Sequence, residues 1–187
     1  MHRASMLALI TALSAGASAH AQGRPRVGDL AVEVALGRSL TFVRNPIGRT
    51  ISDISDPWTT RLAAGVSLGG GVWIEGVMRA TPTESFDQVR WFTFGAGMRL
   101  DTSDSAALST SLRMGWSGTL TAGLQHGAHA AFAVNIRPVR AFTLFLETGV
   151  EAFPGMSFER TTVNQRVREQ SLVVGTLWYG GGVRFTL

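Results

Sequence analysis

The sequence predicts an all-β fold, an eight-stranded antiparallel up-and-down transmembrane β-barrel, and three observations carry that prediction. Apolar and polar residues alternate over runs of about ten residues, compact turn signals recur between those runs, and no stretch offers the roughly 18 to 20 uninterrupted apolar residues that a spanning helix needs. Any passage across a membrane therefore uses strands.

At the N-terminus, Met1-His2-Arg3 makes a short positive start, Met6 to Leu13 is an apolar run, and Ala19-His20-Ala21 is an A-x-A site ahead of Gln22. Together these read as a secretory signal peptide over residues 1–21, cleaved after Ala21. Removing 21 of 187 residues leaves 166, so residues 22–187 are expected to form one barrel domain.

Turns organise the rest. Leu68-Gly69-Gly70-Gly71-Val72, Leu100-Asp101-Thr102-Ser103-Asp104 and Ile136-Arg137-Pro138-Val139-Arg140 are compact glycine, aspartate and proline signals. More variable polar segments lie between them, at Arg44 to Pro57, Thr81 to Gln88, Ser117 to Gln125 and Pro154 to Glu169. Three short turns and four long loops imply eight strands, with both chain ends on the short-turn side. That is the arrangement of membrane barrels with short turns at one end and long loops at the other.

Each predicted strand has period two. The first sets Leu30, Val32, Val34 and Leu36 against Ala31, Glu33 and Ala35; the second sets Leu62, Ala64 and Val66 against Arg61, Ala63 and Gly65. The third alternates Val72, Ile74 and Met78 with Trp73, Glu75 and Arg79, and the fourth Phe92, Phe94 and Met98 with Trp91, Thr93 and Arg99. Leu112 and Met114 oppose Ser111 and Arg113 in the fifth, and Phe132, Val134 and Ile136 oppose His129, Asn135 and Arg137 in the sixth. In the seventh, Leu144, Leu146 and Val150 oppose Phe145, Glu147 and Glu151; in the eighth, Leu177, Tyr179 and Val183 oppose Trp178 and Arg184.

A soluble lipocalin-like barrel also alternates, with its apolar face inward. Two features favour the opposite sense. The runs are longer than the five or six residues usual in soluble sheets, and the polar face is built from Gly, Ala, Ser and Thr with single charges. Small residues suit an eight-stranded barrel, whose interior is only wide enough for side chains to fill. On this reading Glu33, Arg61, Glu75, Arg79, Arg99, Arg113, Arg137, Glu147, Glu151 and Arg184 form a lumen charge network, with Glu75 beside Arg99 and Glu33 beside Arg184. Trp73, Trp91, Phe145 and Trp178 fill the remaining volume. Phe42, Trp58 and Trp116 near the loop ends, and Phe142 and Phe185 near the turn ends, fall at the two aromatic girdles of a membrane interface.

Composition excludes other classes. The net charge of +4 and pI of 11.1 come from arginine alone, because the chain contains no lysine. The arginines are spread about one per strand rather than gathered in a patch, which argues against nucleic acid as a partner. Absence of cysteine excludes disulfides and thiolate metal sites, and no metal or cofactor is expected.

The last residues, Tyr179-Gly180-Gly181-Gly182-Val183-Arg184-Phe185-Thr186-Leu187, alternate up to the chain end. This segment resembles the C-terminal assembly signal of bacterial outer-membrane β-barrels, with Gly182, Phe185 and Leu187 at its glycine, aromatic and terminal hydrophobic positions. Leu187 departs from the commoner Phe. With the signal peptide and strand pattern added, the chain resembles the small OmpA- or OmpX-type barrels over essentially its whole mature length. The resemblance implies residence in the bacterial outer membrane, delivery by the barrel-assembly machinery, and contact with outer-membrane lipids, lipopolysaccharide among them. It is architectural, and architecture alone does not assign a task.

The expected role is a non-enzymatic envelope component, structural or surface-interacting, with a charged, largely plugged lumen and functional external loops. Alternatives are a narrow solute conduit, a lipid-modifying outer-membrane enzyme, and a soluble periplasmic lipocalin-like binding barrel. The lipid A deacylases among small barrels share a His-x-Ser pair with a nearby carboxylate; this chain has His126-Gly127-Ala128-His129 instead. Arg160, Arg166 and Arg168 in the longest loop are candidate contacts to anionic lipid, since arginine forks favour phosphate oxygens.

Overall fold

A computed structural model describes residues 25–44, 50–53, 58–81, 91–103, 107–120, 124–139, 141–155, 157–162, 165–170 and 173–187. The expected signal peptide, residues 1–21, lies outside these described residues. The strands are β1 (Leu30–Arg44), β2 (Thr50–Asp53), β3 (Trp58–Gly69), β4 (Val72–Thr81), β5 (Trp91–Asp101), β6 (Leu108–Thr119), β7 (Gln125–Val139), β8 (Phe142–Pro154), β9 (Ser157–Thr162), β10 (Gln165–Gln170) and β11 (Val173–Thr186).

β1, β3, β4, β5, β6, β7, β8 and β11 form the wall, each antiparallel to its neighbours, and β11 returns to pair with β1. Closure runs to the final residue: Leu187 N donates to Leu30 O at 2.8 Å, and Leu30 N to Leu187 O at 3.3 Å. A closed sheet has no unpaired edge, which is what a strand-built membrane span requires, because lipid offers no hydrogen bonds to the backbone.

The tightest turn shows why its residues are glycine. Gly69, Gly70 and Gly71 have φ of 85°, 61° and 80°, a left-handed conformation costly to any residue with a Cβ. Gly71 also passes so close to the next hairpin that a Cβ there would lie 2.6 Å from Asp101 O.

Burial along the wall strands is inverted relative to a soluble protein. Leu146 is 71% exposed and Leu36 58%, whereas Arg99 and Arg184 are at 0%. Water does not leave apolar side chains outside while ion pairs fill the interior, so the outer wall is solvated by lipid. The soluble lipocalin-like alternative, which needs the apolar face inward, is thereby contradicted.

Several predicted boundaries are corrected. The segment Arg44 to Pro57 contains β2, which pairs with the end of β1. The segment Pro154 to Glu169 contains a second hairpin, β9 with β10. Ser117, read as a loop residue, lies within β6, and Arg137 to Val139, read as a turn, continues β7. Polar composition misled at each point, because strands of a membrane barrel extend beyond the apolar band and there follow no hydrophobic rule.

Candidate functional site

The lumen is built by the inward parity of the wall strands, and its turn-proximal half is a charge network. Arg61 Nη2 donates to Glu33 Oε2 at 3.0 Å, Arg99 Nη1 to Glu33 Oε1 at 2.6 Å, and Arg113 Nη2 to Glu33 Oε1 at 2.7 Å. Arg184 Nε also donates to Glu33. One carboxylate on β1 thus gathers guanidinium groups from β3, β5, β6 and β11. Glu75 pairs with Arg99 and, at 3.0 Å, with Arg113 Nε. Glu147 pairs with Arg113 and, at 3.2 Å, with Arg61 Nε.

Asp101 was missed. Its place in a turn signal concealed that it has the parity of Arg99, two residues before it. It is buried, 3.1 Å from Arg99 Nε and 3.8 Å from Arg184 Nη1. Arg137 is also buried, with its Nε 3.4 Å from Thr143 Oγ1.

Aromatic rings separate the charges. Arg61, Arg113 and Arg184 place their guanidinium carbons 5.3, 5.7 and 5.7 Å from the Phe145 ring centre, and Arg99 lies 4.4 Å from that of Trp73. Arg79 lies 3.4 Å from the Trp178 ring centre and pairs with Glu151 at 2.8 Å. The delocalised guanidinium suits both contacts, whereas an ammonium would serve the stacked faces less well. Glycine makes the room: a Cβ at Gly149 would lie 2.2 Å from Trp178 Cζ2, and one at Gly182 would lie 2.7 Å from Phe145 Cζ. A cavity of about 20 Å³ remains beside Gly37, Thr59, Arg61, Arg79, Glu147 and Trp178, enough for a single water. The side chain of Trp91 lies outside the described residues.

The loop-proximal half of the lumen is hydroxyl-lined. Thr59 Oγ1 donates to Ser39 Oγ at 2.8 Å and lies 3.0 Å from Thr81 Oγ1, while Thr119 Oγ1 donates to Phe92 O at 2.8 Å. Ser117 Oγ sits 2.9 Å from His129 Nδ1. This serine and histidine are far apart in sequence and meet only through the β6–β7 register, which no local motif announces. The pair faces the lumen, both residues are buried, and Glu151, opposite His129 across β7–β8, is engaged by Arg79. It therefore presents no nucleophile to lipid. Among the described residues no group of histidine, cysteine and carboxylate side chains has metal-binding geometry.

On the outer wall the predicted girdle residues take two levels. Near the turns, Phe142 and Phe185 pack at 5.4 Å between ring centres. Near the loops, Trp116 stands edge-on to Phe94 at 5.6 Å and its Nε1 donates to His126 Nδ1 at 3.2 Å. Phe42 covers Gly175, where a Cβ would lie 2.1 Å from the ring. Trp58 is exposed beneath the Arg38 guanidinium, 4.8 Å away. Arg38 was not singled out from the sequence, although its outward parity was readable. At the end of the chain, Gly182 faces inward opposite Ala35, and Phe185 faces outward opposite Val32. Leu187 closes the seam through its backbone.

The loop arginines sit on the β9–β10 hairpin. Arg166 is opposite Thr161, Arg168 opposite Glu159 and Arg160 opposite Val167, so Arg166 and Arg168 share one parity and Arg160 has the other.

A closed eight-stranded barrel with a charged interior and a lipid-solvated wall defines a class, the small β-barrel membrane protein. No protein-family model matches the sequence, and no curated protein matches it. Solved structures do match. Neisserial surface protein A superposes with a TM-score of 0.60 at 10% identity, over 84% of this chain and 98% of that one. The N-terminal β-barrel domain of Pseudomonas aeruginosa OprF gives 0.53 at 10%, over 86% and 98%. The outer-membrane protein OprG of Pseudomonas aeruginosa gives 0.52 at 7%, over 90% and 99%. The chain thus has the fold of the small eight-stranded outer-membrane β-barrels.

Proposed function

We propose that this protein is a non-enzymatic component of the outer membrane, whose lumen serves the stability of the wall and whose external loops carry its interactions. The supporting observation is the filled interior: the ion pairs centred on Glu33, with Phe145, Trp73 and Trp178 between them, occupy the cross-section that a solute would have to pass. A catalytic role finds no support in the Ser117–His129 contact, whose two side chains are buried and face the lumen. The working surface is then the loop end, where Arg160, Arg166 and Arg168 are proposed to meet anionic lipid, lipopolysaccharide included. Assembly through the barrel-assembly machinery is proposed from the terminal Gly182, Phe185 and Leu187.

Replacing Arg160, Arg166 and Arg168 together with Ser is expected to weaken association of the folded protein with vesicles carrying anionic lipid severalfold. Unchanged association removes the loop from the proposal. A mass shift in outer-membrane lipid incubated with the purified protein would replace the non-enzymatic reading with a lipid-modifying one.

A further inference from the structure

Among the described residues, His126 is the one histidine on the outer wall; His129 faces the lumen. Trp116 of β6 donates from Nε1 to His126 Nδ1 at 3.2 Å. An indole nitrogen can only donate, so Nδ1 accepts and the neutral imidazole carries its proton on Nε2. That nitrogen is at the end of the ring remote from the backbone, on an exposed residue, and has no acceptor among the described residues.

The tryptophan is itself held. It stands edge-on to Phe94 at 5.6 Å, and the two rings cover Gly118, where a Cβ would lie 3.0 Å from Trp116 Cη2 and 2.9 Å from Phe94 Cζ. Gly118 is directly opposite His126 across β6–β7. A packed cluster therefore sets which nitrogen of His126 donates.

Height decides what that donor meets. Eight residues separate Trp116 from Leu108 at the turn end of β6. At about 3.3 Å per residue on a strand tilted about 40°, that is roughly 20 Å up an apolar band about 25 Å tall, and His126 lies one row further toward the loops. An N–H at this level meets headgroup oxygens, as the polar edge of an interfacial ring does. The turn-end pair of Phe142 and Phe185 offers no N–H. Down the wall, Ala128 and Ala130 follow His126 on the same face of β7, with Trp116 and Met114 beside them on β6 and Val150 beside Ala130 on β8.

We propose that His126, oriented by Trp116, binds the phosphate group of a lipid in the leaflet at the loop end. Nε2–H donates to a phosphate oxygen, and an acyl chain runs down β7 over Ala128 and Ala130. The site rests on the membrane placement of the barrel but not on the loop arginines.

Residues 22–187 contain only two histidines, His126 and His129, so nitrogen-15 NMR of the folded, histidine-labelled mature barrel in detergent resolves each ring. The neutral ring of His126 is expected to carry its proton on Nε2, and that resonance to move when bis-phosphorylated lipid A is added, while His129 stays in place. Native mass spectrometry reads retention of the same lipid. The double variant Trp116→Phe, His126→Phe is expected to reduce the bound fraction about tenfold; both are changed because loss of His126 alone frees the indole N–H to donate in its place. His126→Gln, with an amide oxygen for Trp116 and an amide N–H for the lipid, is expected to retain part of the binding. Lipid A stripped of its phosphates is expected to bind wild type as weakly as the intact lipid binds the double variant. The heat-dependent gel shift confirms that each variant is folded. Equal binding by wild type and the double variant, no binding by wild type, or a His126 proton on Nδ1 overturns the proposal. Displacement of the lipid by millimolar inorganic phosphate also overturns it, because the site would then recognise a free anion. The loop variant Arg160→Ser, Arg166→Ser, Arg168→Ser is expected to shift the His126 resonance as wild type does, which separates failure of this site from failure of the loop reading.

Discussion

The two halves of the lumen share one wall and one side-chain parity, yet they are held together differently. Near the turns, Glu33 on β1 reaches Arg99 on β5 and Arg113 on β6, so that contacts cross the barrel between strands that are not neighbours. Near the loops, Ser39, Thr59 and Thr81 bond along adjacent β1, β3 and β4, and Ser117 meets His129 between adjacent β6 and β7. The first kind of contact ties opposite walls and resists collapse or ovalisation of the cylinder. The second only reinforces pairings that the backbone ladder already makes. Buried charge is costly unless paired and hydrogen-bonded; it is concentrated in the turn-proximal half, and the Arg79–Glu151 pair of β4 and β8 carries this cross-bracing up to the level of His129.

The largest expected effect of breaking this contrast comes from Glu33→Ala, which leaves Arg61, Arg99, Arg113 and Arg184 around an absent carboxylate. Removing one member of a buried pair costs roughly 3–5 kcal/mol, and a hub variant belongs at or above the top of that range. Urea unfolding in lipid vesicles, followed by gel mobility, reads it directly. Glu75→Ala comes next, within the same range because Arg99 and Arg113 keep Glu33. A double-mutant cycle of Glu75→Ala with Arg99→Ala should show coupling of about 0.5–3 kcal/mol, and additivity would dissolve the pairing. Gly149→Val places a Cβ into Trp178, and overpacking of this kind costs about 1–3 kcal/mol. It should also alter tryptophan fluorescence as the ring leaves Arg79. The smallest effect belongs to the loop-proximal half: Ser117→Ala is expected to lower stability by only about 0.5–1.5 kcal/mol. A Ser117 effect equal to that of Glu33 would erase the distinction between the halves.

What the sequence made legible follows the same division. Period two assigns a side chain to a face, so the eight wall strands, their direction and the inward set from Glu33 to Arg184 were readable. Adjacent pairs such as Glu33 with Arg184 were within reach of counting from the turns. Contacts across the lumen were not, because Glu33 meets Arg113 only after the sheet has curled and sheared into a cylinder, and no spacing in the chain encodes that. Asp101 was hidden by turn chemistry, since aspartate signals a turn as readily as a buried partner for Arg99. Ser117 and His129 required the β6–β7 register. β2, β9 and β10 escaped because their residues, Thr50–Asp53, Ser157–Thr162 and Gln165–Gln170, are largely polar and carry little apolar alternation for a period-two reading to detect. Arg38 shows the converse. Its outward parity was plain, but only its row with Trp58 and Tyr179 gives that charge a setting.

The most direct test of the plugged lumen is conductance of the purified, folded protein in planar bilayers at neutral pH, with Glu33→Ala measured beside it. The account predicts no steady open state for wild type and the appearance of conducting events when the Glu33 hub is removed. A steady open conductance of the wild-type barrel would contradict it and make the lumen a conduit.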